Sequence, residues 1–184
     1  MSRYSVASVA LAVFMSTGAA QAATIDFTTA SNDGATIVAA GATVTAGFGT
    51  TLLIGDFTAN AVCPLGNSGC NGLMTLTFDQ DVSGVNFFYG YGDAGDSALL
   101  SIFDSGGTLL GFYNLDSTSG VAFADLSSFG TLRSIIFDNV ASTGAGYAYG
   151  DISYDPAAVP LPAALPLLLA GLGGIAALRA RRAA

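Results

Sequence analysis

The 184-residue chain has no histidine, glutamate, lysine or tryptophan, and only two cysteines. Each absence excludes chemistry. Two thiols without an imidazole are a poor start for a tetrahedral zinc site, and they leave a nucleophilic cysteine without its usual base. Without glutamate the chain lacks the residue that ordinarily closes an EF-hand loop at its twelfth position. Acid–base catalysis would have to rest on a pair of aspartates. Losing Glu and Lys also removes the charged residues that favour helices. Positive charge is scarce as well. Of the five arginines only Arg133 lies between residues 23 and 158, and all thirteen acidic residues are aspartates in that same stretch, which leaves about −12 there. Such a surface keeps a domain soluble and disfavours nucleic acid.

What remains is Gly, Thr, Ser, Asp, Val, Phe and Tyr, a strand-forming composition. Apolar alternation or β-rich runs occur at 24–28, 35–45, 51–57, 74–78, 84–91, 98–103, 108–115, 121–126, 132–137 and 146–154. In the fourth, Met74, Leu76 and Phe78 alternate with Thr75 and Thr77, as in a strand with one face in a core and one in water. Turn clusters such as Ser105-Gly106-Gly107, Ser117-Thr118-Ser119-Gly120 and Ser142-Thr143-Gly144 separate the runs. About ten short strands over roughly 136 residues predict one all-β domain, an antiparallel β-sandwich with a jelly-roll-like path; an irregular barrel is the alternative. Three runs are expected to end in Phe-Asp, at Phe78-Asp79, Phe103-Asp104 and Phe137-Asp138, with a buried ring and an aspartate starting a turn.

Cys63 and Cys70 flank a six-residue segment, and an even pair in an exported chain is expected to form a disulfide worth about 2 to 3 kcal/mol. The most site-like segment is Gly90-Tyr91-Gly92-Asp93-Ala94-Gly95-Asp96-Ser97, where glycines permit tight turns and Asp93 and Asp96 offer hard oxygen ligands for calcium. It resembles, in a single copy, the Gly-Asp-rich calcium repeats of RTX toxins. A second calcium candidate joins the first and last strands through Asp26 and Asp151 or Asp155, similar to some jelly-roll carbohydrate-binding modules. Solvated turn aspartates are the plainer account of both. Tyr89, Tyr91, Tyr113, Tyr147, Tyr149 and Tyr154 are candidate aromatic faces for a glycan, with Asp and Ser as hydrogen-bonding partners. Packing in the core or on a strand face is the ordinary use of such residues. Asp93 and Asp96 lack the surrounding motif of a catalytic cleft, so the chain is read as a non-enzyme, with no cofactor other than calcium.

Both ends carry targeting features. At the start, Arg3, an apolar run at 6–15 and the small-x-small pattern Ala20-Gln21-Ala22 read as a signal peptide over residues 1–22, cut after Ala22 by signal peptidase. At the other end, residues 160–178 are uncharged and would reach roughly 28 Å as a helix, enough for a membrane core. Arg179, Arg181 and Arg182 follow and would stay cytoplasmic, leaving residues 23–158 outside.

This tail, residues 159–184, resembles the PEP-CTERM class of bacterial sorting signals in its VPLPA-CTERM variant: the motif Val159-Pro160-Leu161-Pro162-Ala163, a transmembrane helix, then a basic cluster. The segment has no Thr-Gly of a sortase motif, and a GPI signal would not end in three arginines. The resemblance implies processing by an exosortase, a membrane protease of Gram-negative bacteria that make extracellular polysaccharide. It implies an exported protein, held at the inner membrane during processing and then placed at the cell surface or in the matrix, with a structural or glycan-binding role. A secreted calcium-binding module is the alternative, and an aspartate-based glycan hydrolase a more remote one.

Overall fold

A computed structural model describes residues 21–55, 58–67, 69–90, 92–93, 95–115, 120–140, 146–157, 171–173 and 179. The signal segment up to Ala20, the Val159–Ala163 motif, Arg181 and Arg182, and the expected turns at 117–119 and 142–144 lie outside the described residues. Residues 171–173 and 179 are helical, and among the described residues no helix is long and apolar enough to cross a membrane.

The described chain is all-β. In order the strands are β1 (Ala23–Thr24), β2 (Ser31–Asn32), β3 (Thr36–Ala39), β4 (Ala42–Ala46), β5 (Thr51–Ile54) and β6 (Ala61–Leu65). Then come β7 (Leu73–Gly90), β8 (Ser97–Phe103), β9 (Leu109–Leu115), β10 (Ala122–Asp125), β11 (Leu132–Val140) and β12 (Ala148–Pro156). Every strand pairing is antiparallel.

Strand β7 belongs to two layers. Its first half, Leu73–Phe78, pairs with β4 on one side and β11 on the other, inside the order β2-β3-β4-β7-β11-β8-β9. Its second half pairs with β10 and β12, and β12 continues to β6 and β5 and carries β1 on its end. The layers face each other across aromatic contacts: Phe137 of β11 meets Tyr149 of β12 at 4.5 Å between ring centres, and Phe78 of β7 meets Tyr154 of β12 at 5.0 Å. This is a β-sandwich with one strand common to both sheets.

Strand sharing requires a change of face. Met74, Leu76, Phe78 and Val82 point inward at even positions, whereas Val85, Phe87 and Tyr89 point inward at odd ones. The switch falls at Ser83-Gly84, where Gly84 adopts φ 59° and a Cβ would come within 2.5 Å of the Asp155 carboxylate. An extra residue at such a bulge keeps both halves apolar toward the core, where an unbroken strand would turn half its side chains to water. Strand β12 is irregular opposite the same point, between Ser153 and Asp155.

The expected runs match most elements, with four corrections. The run 24–28 is strand only to Thr24, because Asp26 starts a turn. The run 35–45 is a hairpin with Ala40 and Gly41 between its strands, Gly41 at φ 88°. The runs 74–78 and 84–91 are one strand, so Phe78-Asp79 lies inside β7, and Phe137-Asp138 likewise lies inside β11. Only Phe103-Asp104 ends a strand as expected: the Asp104 carboxylate accepts from the Gly106 and Thr108 amides at 2.9 and 2.8 Å. Strand β6 had no counterpart among the expected runs. It carries Cys63, whose disulfide to Cys70 is formed.

A buried polar network ties that disulfide loop to the last strand. Asn139 of β11 donates through Nδ2 to the Cys70 carbonyl at 2.5 Å and to the Tyr147 carbonyl at 3.1 Å, and its Oδ1 accepts from the Tyr149 hydroxyl. Burial holds the Tyr149 phenol well above its usual pKa. Replacing Asn139 with Ala would leave three buried polar groups without this partner, so Asn139→Ala is expected to lose about 2 to 4 kcal/mol in urea unfolding. An unchanged midpoint would show that the network is dispensable.

Candidate functional site

Of the six candidate tyrosines, most take the ordinary role in packing. Tyr89, Tyr147, Tyr149 and Tyr154 are core residues, Tyr113 is half-buried on β9, and Tyr91 lies outside the described residues. The buried rings pack edge to face, as in Tyr89 against Tyr147 at 5.3 Å, and the Tyr147 hydroxyl donates to the Asp96 carbonyl at 3.1 Å. A phenol can enter a core when its hydroxyl finds a partner, and the turn at Asp96 and the side chain of Asn139 supply those partners.

Among the described residues the exposed aromatics are phenylalanines. In β7 the sequence Phe87-Phe88-Tyr89 puts three large rings in a row. With Phe87 and Tyr89 inward, Phe88 must point outward, and it is 43% exposed. Directly opposite on β10 is Phe123, 52% exposed, with its ring centre 5.2 Å from that of Phe88. On the other side Phe88 is opposite Gly150 of β12, which has no side chain to cover it. A cleft of about 370 Å³ opens there, lined by Thr58, Phe88, Val121, Gly150 and Asp151. Val121 is 60% exposed. Leu109, Leu110 and Phe112 form another exposed apolar set on the edge strand β9.

Asp151 is the one non-glycine residue with positive φ among the described residues, at 50°. Aspartate tolerates that conformation better than most residues, and it recurs at sites where a side chain is aimed by the backbone. Asn60 fixes it: the Asp151 N–H donates to the Asn60 carbonyl at 3.3 Å, and Asn60 Nδ2 donates to the Asp151 carboxylate at 3.1 Å. Asn60 also accepts from the Phe27 amide at 2.7 Å and donates to the Ile25 carbonyl at 3.0 Å, which ties the cleft wall to the first strand.

The second calcium candidate required Asp26 and Asp151 or Asp155 to meet where the first and last strands join, and β1 does pair with β12 there, with the Ile25 amide donating to the Ile152 carbonyl at 2.9 Å. The Asp26 carboxylate is nevertheless engaged with its own turn, accepting from the Thr28 amide and hydroxyl at 2.9 and 2.6 Å and from the Thr29 hydroxyl at 3.1 Å. Asp155 contacts Gly84 at the bulge. In the other candidate, Asp93 is exposed, while Asp96 is buried and accepts from the Asp93 and Gly146 amides at 2.7 and 3.0 Å. Asp96 thus closes its own loop onto the start of β12. Among the described residues no three Asp, Glu, His or Cys side chains converge as metal ligands.

No protein-family model matches this chain, and no curated protein matches it. A solved fucose binding module of Streptococcus pneumoniae is similar over 62% of this chain and 70% of its own, with 12% identity and a TM-score of 0.36. At that score the likeness assigns no ligand and no residue role.

The turn carboxylates respond to pH in one direction. The Thr28 hydroxyl and amide hold Asp26 below its ordinary value of 3.8, the Thr36 and Ala35 amides do the same for Asp33, and the Ser127 amide for Asp125. A depressed folded-state pKa contributes stability above the unfolded value and loses it as pH falls through the folded one. All three groups are exposed to solvent, so the effect is modest. Combined Asp26→Asn, Asp33→Asn and Asp125→Asn should flatten the fall in urea midpoint between about pH 5 and about pH 2.5. An equally steep fall would place the acid sensitivity in other aspartates.

Proposed function

We propose that this chain is an exported β-sandwich that acts without catalysis at the cell surface or in the extracellular matrix, where it binds glycan. The observation that carries the reading is the exposed Phe88–Phe123 pair beside the cleft at Gly150 and Asp151. Sugar rings have an apolar C–H face and a rim of hydroxyls. An aromatic surface beside a fixed carboxylate and the Thr58 hydroxyl suits both parts. The side chains lie on paired strands, so the surface is organised before a ligand arrives. The jelly-roll-like path is supported by the pairing of first and last strands.

The location has separate support. The Cys63–Cys70 disulfide fits an oxidising compartment outside the cytoplasm. The Val159–Ala163 motif, the uncharged segment after it and the terminal arginines resemble the VPLPA-CTERM signal, so the proposed processing partners are signal peptidase and an exosortase-type membrane protease. In that sequence of events the C-terminal helix holds the chain at the inner membrane of a Gram-negative cell until it is cut.

Intact mass and terminal peptides of the protein recovered from its native host test the export half of the proposal. The expected mature chain begins near Ala23 and ends near residues 159–163, in the matrix or surface fraction. Retention of the arginine tail would refute exosortase processing. Free migration of the protein through a gel cast with the host's extracellular polysaccharide would refute the binding half.

A further inference from the structure

Charge selects among glycans. We propose that the Phe88 cleft takes a neutral glycan and rejects uronic-acid-bearing or sulfated ones, with Asp151 as the residue that sets the choice; this rests on the glycan-binding reading above. Residues 23–158 carry thirteen aspartates against one arginine, so the domain as a whole is strongly acidic. The described residues of that stretch contain the single cation Arg133, and its guanidinium is 3.6 Å from the Asp81 carboxylate. Among the described residues the cleft is lined by one charged residue, Asp151, and by no base.

A carboxylate at neutral pH only accepts hydrogen bonds, so Asp151 calls for a donor, and a sugar hydroxyl is one. A ligand carboxylate or sulfate in the same place is an acceptor facing an acceptor, with like-charge repulsion added. An anion-binding site needs guanidinium, ammonium or clustered amide donors, and the described lining residues carry no such side chain. The position of Asp151 is constrained twice, by its left-handed backbone and by Asn60. Its carboxylate therefore stands beside Phe88 without needing a ligand to order it. A sugar ring stacked on Phe88 and Phe123 would direct hydroxyls from its edge toward Asp151 and Thr58. A second copy of this chain is a poor occupant, because two such acidic surfaces repel each other on approach.

The test is affinity gel electrophoresis of the full chain against neutral polysaccharides (galactomannan, β-glucan, dextran) and anionic ones (alginate, polygalacturonate, dextran sulfate), at low and high salt. The expected result is retention by at least one neutral polymer with little salt dependence, and none by the anionic polymers at low salt. Phe88→Ala should weaken retention at least about 10-fold. Asp151→Asn keeps a side chain that tolerates positive φ and should weaken it about 10-fold, since a hydrogen bond to a charged group is replaced by one to a neutral amide. Phe123→Ala, at the rim, provides a second variant should Phe88→Ala fail to fold.

Each contrary outcome has its own meaning. Phe88-dependent retention by anionic polymers overturns the neutral class and leaves the glycan reading standing. Retention by no polymer overturns both. Equal retention by wild type and Asp151→Asn removes Asp151 as the selecting residue. Sedimentation showing a dimer that Phe88→Ala dissolves would give the surface to a second copy and overturn the proposal.

Discussion

The backbone pairing of β7 is the constraint on which the rest depends. One strand hydrogen-bonds to β4 and β11 along its first half and to β10 and β12 along its second, so the two layers cannot shift independently. The change of inward face at Gly84 is what makes this compatible with a single core. Without it Phe87 and Tyr89 would point to water and Phe88 would be buried. The bulge therefore fixes the core and the exposed aromatic surface in one step, since the outward position of Phe88 is the complement of the inward position of its neighbours.

The last strand is held by polar contacts as well as by pairing. Asn139 joins β11 to the disulfide loop and to β12, and the buried Asp96 carboxylate collects amides from Asp93 and Gly146 just before β12 begins. These contacts place Gly150 and Asp151 with little freedom. A carboxylate set beside an aromatic ring by fixed backbone costs little ordering entropy when a ligand binds. The absence of the charged helix formers Glu and Lys and the abundance of turn residues are consistent with this economy: nearly all of the described chain is strand or the short connection between strands.

The all-β class was legible because alternation and turn residues are local signals. Met74, Leu76 and Phe78 announce a half-buried strand without any partner being known. The joining of two runs into β7 was not legible, because Asp79, Gln80 and Asp81 look like a turn, and the chain stays extended through them although the β11 register is interrupted there. Strand β6 was hidden for a related reason: Pro64 and the cysteines suggest a loop, yet the proline sits in a short strand near the edge of its layer. The disulfide followed from cysteine count and compartment.

Site residues were less legible, and the reason is burial. Tyrosine carries a hydroxyl that suggests exposure, but Tyr147 and Tyr149 satisfy theirs inside the molecule through partners distant in sequence. The available signal was the run Phe87-Phe88-Tyr89, in which alternation forces at least one large ring outward. Asp151 gave no signal of its own, since a left-handed aspartate is visible only once the backbone is known.

The central claim is the place of the site. Amide chemical-shift changes across the isotope-labelled protein, followed as the host's extracellular polysaccharide is added, measure that place directly. The account predicts changes concentrated at Phe88, Val121, Phe123, Gly150 and Asp151. Changes centred on the β9 residues Leu110 and Phe112, or none at saturating polysaccharide, would contradict it.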